Sequence, residues 1–213
     1  MEDNTETTPV STIEAVRRFA EPFDPEPTHS AQVTWIALTL FDQLRAVHGL
    51  SEDARLLLEV AGHLHDIGYA RDPNSHHKRA RDMILESNLV PFSERELRII
   101  ACLARYHRGS IPQSDHKVYT DLSKGDRELV RKLAAILRIA DGLDRAHISA
   151  TRRVTASRAG DTITLLVEQR QASPVDIEGA AKKQSLFEEV YRISLQIIAV
   201  KADGPPPSSQ GER

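Results

Sequence analysis

A chain of 213 residues, 40% hydrophobic and 28% charged, can close a core without cross-links, and its composition is that of a globular protein rather than a disordered or membrane-embedded one. The 28 lysines and arginines against 31 aspartates and glutamates leave a net charge of −3, which argues against bulk electrostatic capture of nucleic acid. Cys102 is the single cysteine, so no internal disulfide forms; there is neither a long apolar run nor a basic and apolar leader at Met1–Thr5, and a cytoplasmic protein without membrane contact is expected.

Residues 1–10 and the proline-rich 201–213 read as disordered ends. Between them, 11–150 carries helical periodicity and 151–200 a mixture. Ser11 with Glu14 forms the pattern of a capping box for a short helix ending before the proline-rich Glu21–Pro27. Thr28 is placed as the cap of a long helix whose apolar stripe is Val33, Ile36, Leu40, Leu44 and Val47, stopped by Gly49. Ser51 opens a helix running to Ile67, with Gly68 as its stop. A helix over about His77–Glu86 follows, then one capped by Ser93 and Glu96 and ended at Gly109, then a long one over Arg127–His147. Beyond Ala150 the apolar period shortens to two. Thr162–Val167 alternates, Ala159-Gly160-Asp161 turns it back onto Arg153–Thr155, Asp176 is placed as the cap of a helix through Phe187, and Ile193, Leu195 and Ile197 alternate again. The expected architecture is mainly α, a helical bundle followed by a small β-β-α-β subdomain.

His65 and Asp66 lie in the last turn of an apolar helix, where a carboxylate opposes the helix dipole unless a cation is near. Asp141 repeats this arrangement before Gly142, and His29 extends the stripe of Val33, Ile36 and Leu40. Three helices therefore each aim a metal-type ligand inward. His29, His65, Asp66 and Asp141 form a borderline donor set suited to Mn, Fe, Co, Ni or Zn, with coordination positions left for water and substrate. Each residue alone has an ordinary alternative: His29 as a hydrogen-bonded half-buried histidine, Asp141 as a partner for Arg138 or Arg145. Taken jointly, carboxylates buried without a cation are expensive. His63, on another side of its helix, is read as structural. A second layer consists of His76, His77, Lys78 and Arg79 at one helix start and His107 and Arg108 at another helix end, and these offer compensation for a phosphoryl group.

The ordered series His29, His65-Asp66, His77, His107 and Asp141 resembles the HD superfamily of metal-dependent phosphohydrolases. The words His29-Ser30-Ala31-Gln32-Val33, His76-His77-Lys78, Tyr106-His107-Arg108 and Leu137-Arg138-Ile139-Ala140-Asp141-Gly142-Leu143-Asp144-Arg145 are similar to the C-terminal HD region of the exopolyphosphatase/guanosine-pentaphosphate phosphatase family, with similarity continuing to about Ile198. Tyr69 and Arg79 depart from the residues that relatives often carry there. The resemblance implies a phosphohydrolase acting on a nucleotide or another phosphoester or phosphoanhydride, with His29, His65, Asp66 and Asp141 on one divalent metal. It further implies Asp66, Lys78 and Arg108 as catalytic groups, with His76, His77, Lys78, Arg79, His107 and Arg108 on a second metal or the phosphate. In full-length relatives, however, phosphatase chemistry belongs to an N-terminal actin-like pair of domains with glycine-rich phosphate loops, for which this chain has no room. The alternative is thus a non-catalytic module binding polyphosphate or nucleotides, or dimerising, beside a separate catalytic chain.

Overall fold

The structure is a computed structural model and describes residues 11–201; the expected disordered ends, 1–10 and 201–213, lie outside them except for residue 201, which ends the last strand. Ser11 caps α1 (Thr12–Ala20) by accepting from the Glu14 amide, but Glu14 pairs forward with Arg18 instead of back to the cap, so half of the capping box forms. The next helix, α2 (Pro27–Gln43), starts one residue before Thr28. Proline suits that first turn because its missing N–H has no intrahelical partner there. At Leu44 the helix breaks and resumes as the single turn α3 (Arg45–His48), closed by Gly49 at φ +61°. The one helix expected up to Gly49 is therefore two.

Ser51 caps α4 (Glu52–Leu64), which stops short of Ile67. His65 and Asp66 leave the helix and a 3-10 turn, Ile67–Ala70, follows. After α5 (His76–Glu86) comes α6 (Glu94–Tyr106), whose Ser93/Glu96 capping box is complete. A short α7 (Lys117–Thr120) was not anticipated, and α8 (Lys124–Gly142) begins at a Ser123 cap and ends well before His147. The hairpin of β1 (Thr151–Ala159) and β2 (Thr162–Gln169) turns at Gly160, φ +58°. The predicted single helix through Phe187 is split into α9 (Pro174–Ala181) and α10 (Ser185–Tyr191). Asp176 does not cap it. Its carboxylate is buried and accepts from the Ala146 amide (2.8 Å), tying α9 to the loop after α8. The last strand, β3 (Ser194–Lys201), runs parallel to β2, giving the sheet order β1-β2-β3 with β1 antiparallel.

The protein is mainly α with a small three-stranded sheet. Its core joins α2, α4, α6 and α8 through Ile36, Phe41, Leu58, Leu64, Ile100, Leu103 and Leu137, each at most 1% exposed and each worth roughly 1.5–3 kcal/mol of transfer free energy. Gly142 sets the contact of α8 with α9. A Cβ there would stand 2.5 Å from the Ala180 Cα, so any side chain pushes the C-terminal segment away.

His48, buried where α3 turns, accepts from the Leu50 amide at Nδ1 (2.9 Å) and donates from Nε2 to the Phe41 carbonyl (2.8 Å). Those partners require the neutral ring. Burial holds its pKa below the ordinary value, with Arg45 and Lys132 acting the same way against the Phe41 carbonyl. The unfolded chain takes up this proton first, so stability is full above pH 6.5 or so and declines as the pH falls below it, by about 1 kcal/mol if one buried hydrogen bond is the stake. The melting temperature of His48→Leu is expected to fall less between pH 7.5 and 5.5 than that of the wild type; identical slopes would place the acid sensitivity elsewhere.

Candidate metal centre

Five helix ends meet at one point. The first turns of α2 and α5 bring His29 and His76; the C-terminal ends of α4, α6 and α8 bring His65 with Asp66, His107 and Asp141. Three C-terminal ends and two carboxylates make the junction a place for positive charge. Asp66 is central. Its Oδ2 lies 3.7 Å from His29 Nε2 and 3.6 Å from His65 Nε2, and its Oδ1 lies 3.2 Å from His76 Nε2 and 3.5 Å from His107 Nε2. Asp141 Oδ1 closes the first group, 3.5 Å from His29 Nε2 and 4.0 Å from His65 Nε2. All six residues are buried.

Each imidazole is oriented from behind. Nδ1 of His65, His76 and His107 donates to the carbonyls of Gly62, Pro73 and Ala104 at 2.7–2.8 Å, and Nδ1 of His29 donates to Asp144 (2.8 Å), whose other oxygen accepts from the Ser149 amide. The four Nε2 atoms therefore converge on the carboxylates, the arrangement that metal-binding histidines adopt. His29 Nε2, His65 Nε2 and Asp66 Oδ1 are sealed from solvent and have no hydrogen-bond partner among the described residues. Three buried triads, His29–His65–Asp66, His65–His107–Asp141 and Asp66–His76–His107, are tight enough to hold a cation. Orphaned acceptors and a nitrogen–carboxylate donor set fit a divalent transition ion.

Within the chain, a proton on His29 and the ammonium of Lys183 stand against the charge of these carboxylates. Burial opposes a charged His29, but Asp141 and Asp144 outweigh it and carry its pKa up to about 10. Burial drives His107 well below the ordinary histidine value. It would raise Asp141, yet Lys183 and His29 hold that carboxyl well below its usual range.

The centre opens into a cavity of about 450 Å³ whose wall includes Tyr69, Arg108, Arg145, His147 and Lys183. Of the run 76–79, His76 alone belongs to the cluster. Successive helical residues rotate by about 100°, so the others face elsewhere. His77 is half-buried, its ring centroid 6.5 Å from that of His107, and Arg79 is exposed. Lys78 is exposed and lines a different cavity. Arg108 does reach the site, its Nη1 3.3 Å from His76 Nε2. Arg138 is not the partner of Asp141; it donates to the carbonyls of Tyr106 (2.8 Å) and Gly109 (3.3 Å) at the end of α6. His63 faces away, accepting from Arg17 (3.4 Å).

Sequence reasoning missed three residues here. Lys183, after α9, pairs with Asp141 Oδ2 and also donates to the His107 carbonyl (3.4 Å). Nothing in its local pattern marks it. Asp144 stands three residues after Asp141, a spacing that could have suggested it. His147 stacks on His29 at 3.8 Å, steered by Glu26 (2.6 Å).

The fold and this centre define a mainly α protein whose buried histidines and aspartates can take up a metal ion. The chain belongs to the family described as Ppx/GppA phosphatase, domain III, which it matches over residues 13–179, a shorter span than the similarity to about Ile198 expected above. Comparison with curated proteins gives no match. No helix among the described residues is long and apolar enough to cross a membrane.

Gly68 makes the convergence possible. A Cβ on it would lie 2.1 Å from the His76 carbonyl oxygen and 2.4 Å from the Ala80 amide nitrogen, so α5 can seat His76 beside Asp66 only if residue 68 has no side chain. Gly68→Ala is expected to lower both the melting temperature and the metal content of the purified protein. Asp66→Ala should lose metal while keeping its helical circular dichroism. Full metal occupancy in Asp66→Ala, measured by elemental analysis, would remove Asp66 from the centre.

Proposed function

We propose that this chain is an HD-type, divalent-metal-dependent phosphohydrolase acting on a nucleotide or another phosphoester or phosphoanhydride. The observation that carries the reading is Asp66, whose two oxygens are divided between the pair His29/His65 and the pair His76/His107. His29, His65, Asp66 and Asp141 would hold one ion, and Asp66, His76 and His107 a second. Bound divalent ions of the Mn, Fe, Co, Ni or Zn class supply an acidified water and polarise phosphoryl oxygens.

The chain's own residues do the rest. Arg108, Arg145 and Lys183 present three cations on the cavity wall, suited to the charge of a phosphoryl group. Lys183 takes the place that the sequence reading gave to Lys78. Asp144 fixes the ring of His29, and the carbonyls of Gly62, Pro73 and Ala104 fix the other three.

A second reading, a binding module serving a separate catalytic chain, is favoured by one contact. Lys183 already compensates Asp141 as a cation would. The family description, one domain of a phosphatase, is compatible with it.

Two measurements separate these readings. If metal binds only the folded state, a hundredfold excess over its dissociation constant stabilises by about 2.7 kcal/mol. A chelator should then lower the melting temperature of the wild type and hardly that of His65→Ala. On a panel of nucleotides, polyphosphate and simple phosphoesters, Arg108→Ala should keep its metal and lose turnover by about thirty- to a thousandfold, the equivalent of roughly 2–4 kcal/mol of transition-state stabilisation. Metal-loaded wild type without turnover on any of them, binding polyphosphate or nucleotides through Arg108, would establish the module instead.

A further inference from the structure

A second cavity, of about 650 Å³, opens beside α5 and α6 and shares no lining residue with the metal centre. Arg105, the penultimate residue of α6, forms part of its wall and is 6% exposed. Its Nη1 is sealed from solvent and has no hydrogen-bond partner among the described residues. The groups that act on its charge most are Tyr106, Arg81 and Cys102, none of them a carboxylate, and burial with Arg81 disfavours the charged form. Five cations line the cavity, Lys78, Arg81, Arg98, Arg105 and Lys117, against three carboxylates. Arg81 is already paired with Asp82 (2.6 Å).

A guanidinium nitrogen sealed without an acceptor is costly, since the two donors of Nη1 leave water and a fixed charge enters a low-dielectric setting, whereas Nε and Nη2 are not sealed. The face of Tyr106, 5.5 Å from the guanidinium carbon, attracts the charge but offers no acceptor to Nη1. On the same wall the Tyr106 hydroxyl and His116 Nδ1 are hydrogen-bonded to each other (2.9 Å), so they are engaged already. The unsealed side of the Arg105 fork and the other cations on this wall suit a compact anion with several acceptor oxygens. Arginine forks match phosphoryl oxygens two at a time, and Lys78, Lys117 and Arg98 line the same cavity.

We propose that this cavity is a separate anion site for a phosphoryl group, with Arg105 as its buried fork and Lys78, Arg98 and Lys117 around the outer oxygens. The volume admits more than a single phosphate, so the phosphoryl group can belong to inorganic pyrophosphate or to a phosphorylated organic molecule. The site gives a role to Lys78, which the metal centre leaves out.

The test is calorimetric titration of pyrophosphate into the full chain, freed of metal by a chelator, at low salt. The Arg108→Ala/Lys183→Met protein serves as the background, so that the other cavity is silenced. Binding should persist in that background, weaken at least tenfold when Arg105→Met is added, and weaken severalfold with the rim variants Arg98→Gln or Lys117→Glu. Arg105→Met should also melt no lower than the wild type in anion-free buffer, because an unpaired buried charge has gone, and should keep its metal content. Titration with inorganic phosphate and with ADP then tells which phosphoryl source the cavity takes. Should Arg105→Met fail to fold, the rim variants decide. Pyrophosphate binding that vanishes in the Arg108→Ala/Lys183→Met background, or that is equal with and without the Arg105 and rim substitutions, overturns the site.

Discussion

Two carboxylates held out of water among four imidazoles set the terms for the whole molecule. Asp66 and Asp141 lie at the C-terminal ends of α4 and α8, where the helix dipoles add negative potential to their own charge. Burial of such groups is tolerated only with positive charge at contact distance. The fold supplies it at graded distances: a proton on His29, Lys183 on Asp141, Arg108 beside His76. The same arrangement leaves Nε2 of His29 and His65 and Oδ1 of Asp66 without partners. An ion at that point would satisfy these orphans together.

Holding that geometry requires close approach of backbone to backbone. Gly68 lets the first turn of α5 rest on the 3-10 turn, and Gly62 lets α4 close on Thr34 of α2, where a Cβ would meet Thr34 Oγ1 at 2.5 Å. Larger side chains at these two positions would push the helices apart and spread the cluster. Arg138 contributes from outside the cluster. By donating to the Tyr106 and Gly109 carbonyls it satisfies the end of α6 and so fixes the turn that carries His107.

The C-terminal segment is part of the centre and not an appendage to it. Gly142 against Ala180, and Asp176 on the Ala146 amide, lock α9 to the end of α8. That contact delivers Lys183 to Asp141 from 42 positions further along the chain. Helices α5 and α6 likewise have two faces with different duties. One carries His76 and His107 into the metal-type cluster, and the other places Lys78, Arg81 and Arg105 around a second cavity.

Local order determined much of this in advance. The apolar stripes, the Ser51 and Ser93 caps and the Gly160 turn depend on interactions within a few residues, so the elements and their type were legible. His65, Asp66 and Asp141 were legible as candidates because a polar residue in an otherwise apolar helix end has few cheap explanations. Helix ends were less so. The end of α8 lies where α9, from far along the chain, packs on Gly142, and neither the break at Leu44 nor the split between α9 and α10 was among the expected elements. The histidine run 76–79 shows the limit most clearly. Sequence offers four adjacent candidates, and only the rotation of α5 against α4 and α6 selects His76 for the centre and turns Lys78 outward. Lys183 carries no local mark at all, because its partner is set by where α9 docks. The sequence by itself determined which residue types could hold an ion and on which helices they lie. The tertiary structure alone decided which of them meet, since that depends on helix phase and on approach distances that only the packed chain sets.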